Sequence, residues 1–144
     1  MPNATNTGSP QITEQSIRII CFVILVAPLL VVGVFAAISP IEALGVLLIP
    51  AVVAGVVCCP TGYLLYRQLV DGGPAGADRA ERLRRFFIGT IVPLALTEAA
   101  ALLGAMAFSA DSRPLALLPV LTHITLAVVI WPSQQRFDNL VGAE

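Results

Sequence analysis

Residues 86–108 read FFIGTIVPLALTEAAALLGAMAF, a run of 23 residues in which Glu98 is the one charged side chain. A helix that crosses the hydrocarbon core of a bilayer needs about 20 mostly apolar residues. The stretch therefore predicts a membrane-spanning helix. A carboxyl group near the middle of such a helix is costly, so Glu98 is also the first candidate for a functional residue.

The composition of the whole chain is that of a membrane protein. It has 144 residues, of which 57% are hydrophobic and 12% are charged, whereas about 25% of the residues of soluble domains are charged. The net charge of -1 gives no dense basic surface, so we expect no nucleic-acid partner. The sequence has no nucleophile–base pair, phosphate loop or metal-ligand cluster, so we expect neither an enzyme nor a cofactor.

Three further apolar runs qualify as spans, at residues 19–38, 43–66 and 114–131. We therefore predict an all-α integral membrane protein with four transmembrane helices. The short connections that join the first span to the second and the third span to the fourth predict two antiparallel hairpins, packed as a bundle. Residues 1–15 are predicted to be a flexible polar tail, and residues 16–144 a single transmembrane domain.

The distribution of arginine predicts the orientation. The long loop at residues 67–85 carries five arginines, and the two short connections carry one between them. Because arginine near span ends marks the cytoplasmic side, we expect this loop and both termini to be cytoplasmic, in a multi-pass protein of a bacterial inner (cytoplasmic) membrane. Asp78 can cap a helix that runs through Arg85 into the third span, with Asp78–Arg82 and Glu81–Arg85 at ion-pair spacing. These arginines either extend into solvent or bind anionic lipid.

Small residues mark the predicted helix contacts. Gly55, Ala100 and Gly104 are candidate packing positions, because small side chains let helices approach closely in lipid. Prolines inside the spans are each predicted to kink a helix and to free a carbonyl about one turn earlier. They are Pro28, Pro50, Pro93 and Pro119. Cys58 and Cys59 are interpreted as small buried hydrophobes, with a soft-metal or redox-active pair as the alternative.

The candidate ion-binding site combines Glu98 with His123, the only histidine of the chain, and Thr97. Glu98 and His123 lie roughly 16 Å and roughly 14 Å from the outer ends of two neighbouring antiparallel spans, so they reach nearly the same depth. We predict a direct or water-bridged contact between them. Glu98 is then neutral, or ionised and paired with a protonated His123, or bound to a cation that enters from water.

One helix of the chain resembles a known family. Residues 85–89, RFFIG, and 96–101, LTEAAA, resemble the carboxylate-bearing helix of rotary ATP synthase subunit c. This resemblance covers about one helix and implies that Glu98 is a proton- or sodium-binding carboxylate. Residues 98–104, EAAALLG, and a tail with Pro132, Ser133 and Arg136 are also similar to small four-span bacterial membrane proteins of no assigned function. That group is the better match.

Two functions follow as expectations. The first is a proton- or cation-binding membrane subunit that associates with itself or with other membrane protein subunits. The second is a non-catalytic assembly subunit of a larger membrane complex, in which Glu98 forms an interhelical hydrogen bond.

Overall fold

The computed structural model describes residues 13–37, 46–72, 78–111 and 114–141, which form helices and no β-strand. The helices are α1 (Glu14–Ala37), α2 (Leu48–Val70), α3 (Arg79–Asp111), α4 (Leu118–Val129) and α5 (Gln134–Val141), with a 3-10 turn at Pro114–Leu117 before α4. The predicted all-helical fold is confirmed for these residues. The tail at residues 1–12 and the connection at residues 38–45 lie outside the described ranges.

The first three helices are long and apolar enough to cross a membrane by length and composition. Their apolar segments are Gln15–Val34, Leu48–Val70 and Arg79–Phe108, and a shorter apolar segment covers Pro114–Val129. Large apolar side chains are exposed along α1, α2 and α4, with Ile49 74% exposed and Val128 67% exposed. Such a surface is compatible with contact with lipid.

The start of α3 follows from its capping residue. The backbone N–H of Glu81 donates to the Asp78 carboxylate at 2.7 Å, and Glu81 pairs with Arg85 at 2.7 Å. The predicted continuous helix from the loop into the third apolar run is therefore confirmed. The predicted Asp78–Arg82 pair is not among the ion pairs of the described residues, because the Asp78 carboxylate caps the helix instead, and Arg82 Nε has no hydrogen-bond partner there.

The bundle is built around α3. This helix packs against α1, α2 and α4, and α2 also packs against α4, whereas α1 and α2 make at most a marginal contact in the described residues. The expectation that α1 and α2 would pack as a hairpin is thus wrong. Instead, α3 carries a set of small buried residues, and small side chains let neighbouring helices approach closely. These residues are Ala100, Ala101, Gly104, Ala105 and Ala107.

Contacts at one end of the bundle fix the directions of the helices. The Arg18 guanidinium near the start of α1 donates to the Pro132 carbonyl at 3.1 Å. The ring of Phe86, near the start of α3, packs edge-on against the ring of Phe137 in α5, with centroids 6.0 Å apart. The starts of α1 and α3 therefore lie at the end where α4 passes into α5. The last residue of α2, Val70, contacts α3 near this end as well, so α1 and α3 run opposite to α2 and α4.

The start of α4 is wedged between two glycines. A Cβ atom on Gly55 of α2 would lie 2.9 Å from Pro119 Cα, and one on Gly104 of α3 would lie 2.6 Å from the Ala116 carbonyl oxygen. Both predicted packing positions, like the buried Ala100, are therefore used inside the chain's own bundle.

The prolines differ in part from the prediction. Pro28 and Pro93 lie inside α1 and α3, and Pro60, which the sequence did not single out, lies inside α2. Pro50 and Pro119 instead fall in the first turns of α2 and α4. A first-turn proline lacks only an N–H that would have no partner in the helix, so it gives no reason for a kink.

Candidate functional site

His123 is held in the interior by the pattern of α4. The buried residues of this helix recur every three or four positions, so they form one face. They are Pro119, Val120, His123, Leu126 and Ala127. The His123 side chain is fully buried on that face, so it must find its hydrogen-bond partners within the protein.

Both ring nitrogens of His123 have a partner, and each partner belongs to another helix. Nδ1 lies 2.8 Å from the hydroxyl oxygen of Thr97 on α3, and Nε2 lies 3.4 Å from the carbonyl oxygen of Ile24 on α1. Thr97 is 2% exposed. The imidazole therefore joins α1, α3 and α4 at one point in the protein interior.

Pro28 explains why the Ile24 carbonyl is available. In a regular helix this carbonyl would accept the backbone N–H of residue 28, four positions later. Proline has no N–H, so the acceptor is left without its helical partner. Pro28 lies inside α1 and is buried. His123 Nε2–H donates to this freed carbonyl at 3.4 Å.

The site lies at the middle of the apolar layer. Ile24 is close to the centre of the α1 segment Gln15–Val34, about nine residues, or about 14 Å, from either end. Thr97 and His123 are at the same level because they are joined to Ile24 by these two hydrogen bonds. If the segments cross a bilayer, this level is near the bilayer centre.

Glu98 is at the same level but on a different side of α3. Successive residues of a helix are rotated by about 100°, so Glu98 cannot share the direction of Thr97. Glu98 is half-buried, and the next residue, Ala99, is exposed on the outer side of α3. No hydrogen bond or ion pair joins Glu98 to any other residue in the part of the chain that the structure describes.

The structure therefore brings together two of the three predicted ion-site residues. Thr97 and His123 are in contact, and Glu98 is adjacent in sequence but does not hydrogen-bond directly to His123. Sequence reasoning missed the Ile24 carbonyl. The signal for it was present in Pro28, which predicts a free carbonyl one turn earlier, but nothing in the sequence indicated which helix would use it.

The cysteines do not form a cluster with these residues. Cys59 Sγ lies 3.8 Å from the Thr122 carbonyl, at the contact of α2 with α4, and Cys58 is half-buried. Within the described ranges, no group of three or more histidine, cysteine or acidic side chains is arranged to hold a metal ion.

Comparison of the chain with protein-family models, with curated proteins and with solved structures finds no match.

Proposed function

We propose that the protein is a multi-pass protein of a bacterial cytoplasmic membrane that binds a proton or a cation at mid-membrane through Glu98. One observation carries this proposal. The half-buried carboxyl group of Glu98 lies at the level of the buried Thr97–His123 pair and has no hydrogen-bond partner among the described residues. A bare carboxylate at that depth is strongly disfavoured, so it needs a proton, a cation or a partner from another chain.

The supply of hydrogen-bond donors favours the proton. An ionised carboxylate only accepts hydrogen bonds, but the backbone N–H groups inside α3 are already used by the helix. A protonated carboxyl group can donate to a carbonyl, which accepts a second hydrogen bond readily. Buried threonines of the same helix do this: the Thr90 hydroxyl donates to the Phe86 carbonyl at 2.8 Å. Glu98 can therefore satisfy its neutral form within its own helix but not its ionised form.

The charges at the end of the bundle support the proposed orientation. The arginines of the described residues all lie near the end where α1 and α3 begin: Arg18, Arg67, Arg79, Arg82, Arg84, Arg85 and Arg136. By the bias of arginine toward the cytoplasmic side, this end faces the cytoplasm.

A carbodiimide that dissolves in lipid tests the proposal, because it reacts with protonated carboxyl groups. We expect the protein in lipid nanodiscs to be labelled at Glu98, as located by peptide mass spectrometry, and labelling to decrease as the pH is raised. Protection by sodium at constant pH would identify the cation form of the proposal.

Two variants provide the controls. Glu98→Gln should remove the label, whereas Glu81→Gln, which changes a carboxyl group at the aqueous end of α3, should leave it unchanged. Absence of labelling at every pH, or labelling that persists in Glu98→Gln, would show that Glu98 is not a protonated group in the membrane.

A second candidate function is assembly with another membrane helix. In its favour, two small residues of α3 that precede and follow Glu98 in the sequence, Ala95 and Ala99, are exposed. A partner helix could approach closely there and hydrogen-bond to Glu98. In this case Glu98→Gln should keep the association, because the amide still donates and accepts hydrogen bonds, whereas Ala99→Leu should abolish it. Native mass spectrometry of the two variants released from nanodiscs tests this association.

A further inference from the structure

We infer that His123 is a second proton-binding group. It binds a proton at Nδ1 without movement of the ring, and the Thr97 hydroxyl then changes from a donor to Nδ1 into an acceptor from it. The inference deepens the proposed function, since it assigns a proton-binding role to the enclosed part of the same region. It rests on the distances that join His123 to Thr97 and to Ile24, and it does not require a contact with Glu98.

The fixed point of the site is Nε2. The Ile24 carbonyl can only accept a hydrogen bond, so Nε2 carries a proton in every state that keeps the observed contact at 3.4 Å. Because Pro28 removes the competing backbone N–H, this acceptor stays available to the imidazole. Any change of protonation must therefore occur at Nδ1.

In the neutral state, Nδ1 is an acceptor. The Thr97 hydroxyl then donates its single proton to Nδ1 across 2.8 Å. All contacts of the imidazole are satisfied, and the carbonyls of α3 keep their ordinary helical hydrogen bonds.

In the protonated state, Nδ1–H donates to the same Thr97 oxygen. The hydroxyl proton turns to a carbonyl of its own helix, for which the distances already exist: 3.1 Å to Leu94 and 3.2 Å to Pro93. One N–H bond forms, one positive charge is added, and no heavy atom needs to move. The proton comes from water that reaches the site transiently or from a neighbouring acid.

The other ionisable groups at this depth can be named. On α3 the acid is Glu98, on α1 the thiol is Cys21, and on α2 the thiols are Cys58 and Cys59. No other ionisable side chain lies on α4 between Pro114 and Val129. Among the described residues Glu98 is therefore the only acid at this level, and it makes no direct hydrogen bond to His123.

The contrast with Thr90 argues against a purely structural hydrogen bond. Thr90 is as deeply buried on the same face of α3, and its hydroxyl is bonded within its own helix. Unlike Thr90, Thr97 has two partners within hydrogen-bond distance: a carbonyl of its own helix and the Nδ1 atom of His123. It therefore has a partner in each protonation state of His123.

The single histidine makes the test direct. Protein labelled with ¹⁵N in the histidine ring, without a histidine tag, gives the spectrum of one imidazole in lipid. We expect Nε2 to keep its proton at every pH, and Nδ1 to change from unprotonated with a hydrogen bond to protonated as the pH is lowered from about 8 to about 4. One protonated nitrogen at every pH in that range, or a neutral form protonated on Nδ1, overturns the inference.

Matched variants isolate the hydroxyl. In Thr97→Val the Nδ1 resonance should shift to that of a nitrogen without a hydrogen-bond donor, and Thr97→Ser should restore it. Thr90→Val, an equally buried change, should leave both nitrogens unaffected; an equal effect of the two valine variants contradicts the assignment. Carbodiimide labelling of Glu98 is measured separately. If Glu98 is not labelled at any pH but Nδ1 of His123 still changes as expected, the proposed function is rejected and this inference stands.

Discussion

Replacing Gly104 by alanine should destabilise the bundle by an amount that the structure allows to be worked out. The added Cβ would lie 2.6 Å from the Ala116 carbonyl oxygen, about 0.8 Å closer than ordinary contact at 3.4 Å. The neighbouring atom belongs to the backbone and cannot rotate away, so the start of α4 must move. Overpacking of this kind typically costs about 1–3 kcal/mol. The better helix propensity of alanine offsets about 1 kcal/mol of this.

Gly33→Ala supplies the control, because Gly33 also lies inside a helix and a Cβ there meets nothing within 4 Å. Both variants gain the same propensity, so the difference between them measures the contact at Gly104. We expect Gly104→Ala to be less stable than Gly33→Ala by about 1–3 kcal/mol. The assay is reversible unfolding in mixed micelles by titration with a denaturing detergent, followed by circular dichroism. Equal stability of the two variants would refute the close packing of α3 against the start of α4.

Three other predictions follow from the site and from the end of the bundle. Thr97→Val should lower the free energy of unfolding by about 1–3 kcal/mol, since it leaves a buried ring nitrogen without its partner, and by more than Thr90→Val, as measured in the same micelles. Pro28→Ala should add a backbone N–H that competes for the Ile24 carbonyl, so the hydrogen bond from His123 Nε2–H should weaken and its proton resonance should move toward that of a weaker hydrogen bond; an unchanged resonance would show that the proline is not what keeps the carbonyl available. Arg18→Gln should release α5, because the guanidinium donates to the chain just before it, and limited proteolysis should then remove α5 several times faster than in the unaltered protein.

The helices could be predicted from the sequence, because apolar run length and capping residues are local properties. Asp78 indicated the start of α3 from its residue type and position, and its carboxylate does cap the helix. The pairing of the helices could not be predicted in the same way. A short connection in the sequence does not decide which helix faces are buried, and in the structure both α1 and α2 pack mainly against α3.

The sequence predicted the depth of the candidate site residues along their helices, but not the direction in which each side chain points around the helix axis. Residue counts from the ends of two antiparallel spans placed Thr97, Glu98 and His123 at one level, and the contact of Thr97 with His123 at 2.8 Å agrees with that. Which of two adjacent residues on α3 faces inward depends on where α1 and α4 lie around it. That is a tertiary property, and the apolar residues on either side of Thr97 and Glu98 are too uniform to reveal it.

The separation of Thr97 from Glu98 has a physical consequence for how the polar groups are divided. A hydroxyl can be buried in an apolar bundle because it can donate to a carbonyl of its own helix, as the Thr90 hydroxyl does, and Thr97 has such carbonyls within reach. A carboxylate has no such recourse, because a helix interior offers no free N–H. The buried position therefore suits Thr97, which hydrogen-bonds to the imidazole of His123. The carboxyl group of Glu98 is only half-buried, so a proton, an ion or a second helix can reach it. On this reasoning Thr97 and Glu98 can lie at one level of α3 because the hydroxyl is stable on the buried side of the helix and the carboxyl group only on the more accessible side.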